Sequence, residues 1–315
     1  MTRMRSSPLA LLMLCVASAS VQAADNGEKM AQGAGPAFFF SRDNESFTTQ
    51  RLALEYLPKY THAESLTGVR YTDHHYEQND WSRNGRQLSF LQRQIDPATA
   101  NGWQLEAGIF HQGRHDLLTL DANYRAALTQ RTSLDLFVSR DWVETAVALD
   151  KGVHFTFGGA AIDQVLSPRF TLVGLAGIQS FSDGNSRNHG RLKLIFQPHP
   201  DLGLTFQGRY RVYTSSSDDV GGAYFNPSRY DEAMLAVGWR QRVNGWMVGM
   251  TAGVGQQKVA SDPRTSTRLL ELSLQSPANN KNYSFRARTG MSQSASFNGP
   301  DYRYNYVQGE WIVSF

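Results

Sequence analysis

Cysteine is nearly missing from this sequence: Cys15 is the only one in 315 residues. It lies in an apolar stretch formed by Leu9, Leu11, Leu12, Met13, Leu14 and Val16. Arg3 and Arg5 precede the stretch, and Val21 and Ala23 follow it as small residues at signal-peptidase spacing. This pattern predicts a secretory signal peptide cleaved after Ala23. The apolar run is well short of the roughly 20 residues that a spanning anchor helix needs. Met13 and Leu14 occupy positions where a lipoprotein signal requires small residues. Cys15 therefore leaves with the signal, and the mature chain is expected to have no disulfide, thiolate nucleophile or cysteine metal site.

Charge of one sign and long apolar runs are scarce too. Losing Arg3 and Arg5 takes the basic count from 31 to 29, against 28 acids. The near-neutral mature chain offers no field for nucleic acid, and no nucleic-acid partner is expected. Mean hydropathy is −0.43, and nothing after Ala23 reads as a membrane helix. That leaves room for a membrane β-barrel, whose strands show lipid only every second residue. Proline/glycine/serine linkers are also missing. The expected organisation is a signal at 1–23, a periplasmic segment at 24–35 and one barrel at 36–315.

What the chain does have is a period of two. Leu118, Leu120, Ala122, Tyr124 and Ala126 alternate with Thr119, Asp121, Asn123 and Arg125. Leu204, Phe206, Gly208, Tyr210 and Val212 alternate with Thr205, Gln207, Arg209 and Arg211. Ala233, Leu235, Val237 and Trp239 alternate with Glu232, Met234, Ala236, Gly238 and Arg240. A helix would scatter these charges around its circumference, whereas a strand sorts them onto one face. A soluble β-sandwich also alternates. Runs of about ten residues instead suit strands crossing hydrocarbon at a tilt.

The segment from Tyr302 to Phe315 carries Val307, Gly309, Trp311, Val313 and Phe315 on one face. A terminal phenylalanine on such a strand resembles the signal read by the barrel-assembly machinery, which makes Phe315 the assembly-signal candidate. With this strand ending at the periplasm, the segments 96–102, 129–132, 198–201, Asn244-Gly245 and 277–281 fall inside as short turns. The segments 182–189, 214–228, 259–266 and 293–301 fall outside and are mostly longer. The count gives an all-β, transmembrane antiparallel barrel of about 16 strands, wide enough for an aqueous lumen.

The inward faces then carry Arg51, Glu55, Arg70, Arg93, Glu106, Asp121, Arg125, Asp135, Asp141, Arg191, Lys193, Arg209, Arg211, Glu232, Arg240, Glu271, Arg286, Arg288 and Glu310. Ion pairs that merely solvate the interior are the structural account of such a set. Arg191, Lys193, Arg209 and Arg211 fit it less well, because neighbouring like charges repel. Together with Arg240, Arg286, Arg288, Tyr304 and Tyr306 they are the candidate lumen and polymer contacts. The other aromatics, among them Tyr210, Tyr213, Tyr224, Phe225, Tyr230, Trp239, Trp246, Tyr283, Tyr302 and Trp311, are expected mainly in interfacial girdles.

Three short motifs, in order, carry a resemblance. They are Ser139-Arg140-Asp141-Trp142-Val143-Glu144-Thr145, Phe181-Ser182-Asp183-Gly184-Asn185 and Ala223-Tyr224-Phe225-Asn226-Pro227. They resemble landmarks in the barrel domains of exopolysaccharide-export porins, namely the cellulose-secretion and poly-N-acetylglucosamine export porins. The resemblance implies a 16-stranded outer-membrane porin that passes a polysaccharide. Those porins place a tetratricopeptide superhelix before the barrel and this sequence does not, so a separate periplasmic scaffold protein is the corresponding expectation. The alternatives are a non-conducting structural or surface-interaction barrel and an outer-membrane lipid-modifying enzyme.

Catalytic signals are thin. His154 and Thr156 share a strand face, and His111 and His189 sit near outer rims, but none has a defensible triad spacing. His74 and His75 point to opposite faces and cannot share a metal. No cofactor is expected. The segments 143–152 and 214–228 are the candidate plugs of the lumen.

Overall fold

The computed structural model describes residues 31–217, 219–277, 280, 282–294 and 302–315. The signal expected at 1–23, residues 24–30 and most of the last outer loop lie outside the described residues. The strands are β1 (Ala31–Asp43), β2 (Thr48–His62), β3 (Ser65–Gln78), β4 (Trp81–Ile95), β5 (Gly102–Gln112), β6 (His115–Ala127), β7 (Thr132–Trp142) and β8 (His154–Ser167). They continue as β9 (Phe170–Phe181), β10 (Ser186–Phe196), β11 (Leu204–Ser215), β12 (Arg229–Val243), β13 (Trp246–Val259), β14 (Thr265–Gln275), β15 (Tyr283–Gln293) and β16 (Arg303–Ser314). Each pairs antiparallel with its chain neighbours, and β16 pairs with β1 to close the ring.

Alternation explains why these segments become this barrel. On β12, Glu232, Met234, Ala236 and Gly238 are buried, while Ala233, Leu235, Val237 and Trp239 are exposed. The exposed set is the apolar one. Leu235 is 72% exposed, Leu118 66% and Ile109 62%. Water would penalise such a surface and hydrocarbon would not. The barrel is thus inside-out relative to a soluble protein, and its strands of 11 to 15 residues are long enough to cross a bilayer at a tilt. Among the described residues no helix is long and apolar enough to cross a membrane.

Two boundaries differ from expectation. β1 starts at Ala31, so residues 31–35 belong to the wall and not to a periplasmic segment. The run Ala31-Gln32-Gly33-Ala34-Gly35-Pro36 has little strand character of its own, and pairing with β2 and β16 overrides it. Gly35 lies so close to β16 that an added Cβ would sit 1.6 Å from the Trp311 carbonyl oxygen. The outer segment 182–189 shrinks to a tight turn, because β10 already begins at Ser186. There the Asp183 carboxylate accepts the Asn185 N–H at 3.1 Å.

Asn244 and Gly245 form the tight inner hairpin turn expected of them, with φ of 49° and 83°. The outer connections are mostly short as well. Length is concentrated in 143–153, 216–228 and 294–302.

Candidate functional site

Strand register sets the lumen wall, and most of its charges are paired. Arg70 of β3 is the centre of the largest group. Its Nε donates to Glu55 of β2 at 2.9 Å and its Nη1 to Glu106 of β5 at 2.5 Å, with Glu310 of β16 at 3.6 Å. Arg125 bridges Asp135 (2.9 Å) and Asp163 (2.7 Å). Arg288 donates to Glu271 at 2.5 Å. Arg286 reaches Glu64 in the β2–β3 turn, and Arg51 reaches Glu144 in the segment after β7. Arg51, Arg70, Glu106, Arg286, Arg288 and Glu310, with Gln87, Ser273 and Gln308, line a cavity of about 730 Å³.

The wall of β10 and β11 is different. Arg191 lies directly across from Arg211, and Lys193 directly across from Arg209. Arg211 is neutralised: it donates to Glu232 at 3.0 and 2.5 Å and to Ser294 at 2.6 Å. Among the described residues Arg209 donates only to the neutral Gln207 amide oxygen, at 3.0 and 2.7 Å. On the other side, β9 offers Leu175 opposite Arg191 and Val173 opposite Lys193. Among the described residues no carboxylate contacts Arg191, Lys193 or Arg209. Arg240, lower on β12, lines the cavity and likewise has no acid partner among the described residues.

A third strip of the wall is aromatic. Tyr302 and Tyr304 stack with ring centres 6.5 Å apart, Tyr304 and Tyr306 at 5.9 Å, and Tyr306 and Phe39 of β1 at 6.4 Å. The Tyr306 hydroxyl donates to Glu271 at 3.0 Å.

The outer mouth is capped from two sides. Residues 143–153 contain a short helix, α1 (Ala146–Lys151), started by the Thr145 hydroxyl accepting the Ala148 N–H at 3.1 Å and ended by Gly152 at φ 69°. Leu149 is fully buried against Tyr76, Phe110, Leu117 and Trp142 of the barrel wall. Residues 219–228 approach from the β11 side. The Thr145 hydroxyl donates to the Ala223 carbonyl oxygen, and Lys151 Nζ to that of Gly221 at 3.2 Å. Arg187 of β10 donates to the Phe225 carbonyl oxygen and to Asn226, and lies over the rings of Phe181, Tyr213 and Tyr224. Burial pushes the Tyr224 hydroxyl up to about 12, so it stays protonated and donates to Asp183 at 2.9 Å. The three sequence motifs therefore meet in this cap.

The polymer-contact candidates are placed as follows. Arg191, Lys193, Arg209 and Arg211 come together on one stretch of wall. Arg286 and Arg288 are committed to acids, Arg240 stands apart toward the periplasmic end, and Tyr304 and Tyr306 join the aromatic strip. Phe315 is 65% exposed and exchanges backbone hydrogen bonds with Gln32. Four aromatics expected in girdles are instead buried: Tyr213, Tyr230 and Tyr302 in the wall and Tyr224 in the cap. The inner-face parity of β11 and β12 already places Tyr213 and Tyr230 on the inner side. Asp163, Arg187 and His189 were missed on the inner faces, although the same parity reaches each of them. Glu64 and Glu144 come from connections, where no period applies. His154 and Thr156 do share a face, but Arg140 bridges them at 3.0 and 2.9 Å where a catalytic acid would be needed. Among the described residues no group of three His, Cys, Asp or Glu side chains could hold a metal.

No family model and no curated protein sequence matches this chain. Among solved structures it is similar to a bacterial polysaccharide outer membrane secretin, with 14% identity and a TM-score of 0.66 over 90% of this chain and 98% of that one. It is also similar to OccD3 (OpdP) of Pseudomonas aeruginosa, at 12% identity and TM-score 0.46 over 91% and 92% of the two chains. OccAB3 of Acinetobacter baumannii matches at 11% identity and TM-score 0.44, over 91% and 100%. The chain has the 16-stranded fold of outer-membrane barrels.

Proposed function

We propose that this barrel is an outer-membrane channel through which a polysaccharide is secreted. The carrying observation is the aromatic strip of Tyr302, Tyr304, Tyr306 and Phe39 on the inner wall, running along the barrel axis beside polar side chains. Aromatic faces pack on the apolar faces of sugar rings. A row of such weak contacts lets a polymer advance where a single tight site would stall it. The fold shared with a polysaccharide secretin supports the same reading. In this reading β16 and Phe315 are engaged by the barrel-assembly machinery, outer-membrane lipid surrounds the apolar belt, and a separate periplasmic protein delivers the polymer.

The cap makes the resting channel closed or nearly so. Planar-bilayer recording of the purified barrel tests this together with polymer secretion in a strain lacking the gene. Small wild-type conductance, a large rise when the cap contacts are removed, and loss of secretion are expected. Replacing Tyr304 and Tyr306 by Ala should slow secretion while ion conductance persists. A folded barrel silent even with its cap released, in a strain whose secretion is unaffected by gene loss, would instead favour a structural or surface-interaction barrel.

A further inference from the structure

We infer that the polymer is acidic and that Arg191, Lys193 and Arg209 form its anion-binding site; this rests on the polysaccharide-channel reading above. Among the described residues, each carboxylate within electrostatic reach of these three cations is already engaged. Glu232 takes Arg211 and the Tyr230 hydroxyl. Glu271 takes Arg288 and the Tyr306 hydroxyl. Asp163 takes Arg125. Like charges directly opposite each other on adjacent strands are destabilising. A wall selected for stability alone would place an acid across from them, as it does for Arg70 and Arg125. Here β9 places Val173 and Leu175 in the facing positions, so the arrangement leaves three cations for a ligand that the protein does not itself supply.

The placement suits a long anion. Arg240, on the same inner face of β12 as Glu232, lies roughly 27 Å along the strand from it, at about 3.4 Å per residue. Glu232 is level with Arg211, and Arg211 with Arg191. The uncompensated cations therefore mark a line from the periplasmic half of the lumen toward the cap. A chain bearing a carboxylate, sulfate or phosphate on each repeat would pass from one to the next. The aromatic strip lies on β16 and β1, across the lumen from β10 and β11, so sugar faces and charged substituents would meet opposite walls.

Equilibrium binding to the full barrel in detergent tests the inference with three probes: oligogalacturonate, a neutral cello-oligosaccharide and a cationic chitosan oligosaccharide. Oligogalacturonate should bind best, and about tenfold more weakly near 1 M salt, where the screening length is about 3 Å. The triple variant R191Q/K193Q/R209Q should lose about tenfold of that affinity and keep its heat-modifiable fold. Leu175→Glu, which sets an acid opposite Arg191 without removing a cation, should weaken oligogalacturonate in the same direction. Arg86→Gln on the outer surface should change nothing. Cap-released wild type should also prefer chloride over potassium, and the triple variant should lose that preference. Cello-oligosaccharide or chitosan bound as well as oligogalacturonate, with conductance retained, overturns the acidic-polymer inference and leaves a polysaccharide channel. Absence of binding by all three probes, with no conductance from the cap-released barrel, overturns both readings.

Discussion

The walls around Arg70 and around Arg191 are built from the same strand geometry and solve opposite problems. Glu55, Glu106 and Glu310 from three different strands converge on one guanidinium. Glu55 is only 5% exposed, so without Arg70 its charge would have little water to turn to. Across the lumen, Arg191 and Lys193 face Arg211 and Arg209 on one side and two aliphatic residues on the other. The first region holds strands together through charge, and the second tolerates charge for something that comes from outside. Net charge alone hides this difference, since the whole chain is nearly balanced.

The largest expected effect comes from breaking the compensated side. Arg70→Ala strands three acids and should destabilise the barrel by about 3–5 kcal/mol, the range for removing one partner of a buried pair. Urea unfolding in detergent, followed by heat-modifiability, measures it; a loss below about 1 kcal/mol would mean that lumen water already solvates the acids. Next in size is the contrast between wall faces. Leu235→Arg puts a cation against hydrocarbon at a cost of about 2–4 kcal/mol, whereas Asn123→Arg points it into the lumen and should leave folding unchanged. Equal folded yields for the two would contradict the face assignment.

A smaller effect is expected on the uncompensated side. R191Q/K193Q relieves cross-strand repulsion and should raise stability slightly, by about 0.2–1 kcal/mol. A clear loss of stability would show that an acid does compensate these cations. The change at the cap is of similar size but local. Thr145→Val removes the bond to Ala223 and the helix N-cap, for about 1 kcal/mol of local stability. Its main readout is single-channel conductance, which should rise.

The alternation of β6, β11 and β12 was enough to assign their lipid and lumen faces from sequence, because period two survives whatever the neighbouring strands do. The ladder of Arg191, Lys193, Arg209 and Arg211 was legible for the same reason. Its isolation was not. Whether Arg209 meets an acid depends on which side chains Glu232 and Glu271 already hold, and that is settled by register from β11 through β16. Glu144 and Leu149 were hidden more deeply. They lie in a connection with no periodic signal, and only the three-dimensional position of Tyr76, Phe110 and Trp142 shows that α1 turns inward. β1 was partly hidden because its first residues become a strand only when both neighbours pair with them.

The seam between β1 and β16 bears on how the barrel forms. Every other strand pair joins neighbours in sequence, and each hairpin can form as soon as its turn is made. The Gly33–Ser314 and Ala34–Val313 pairs must wait for the whole chain, since nearly all of it lies between them. Until they form, the sheet has two bare edges whose backbone groups can pair with any other strand. Loop closure of this length is slow. The seam is therefore where a helper protein would have to shield the nascent sheet, and where a substitution such as Gly35→Val would trap an open, aggregation-prone intermediate rather than weaken a finished barrel.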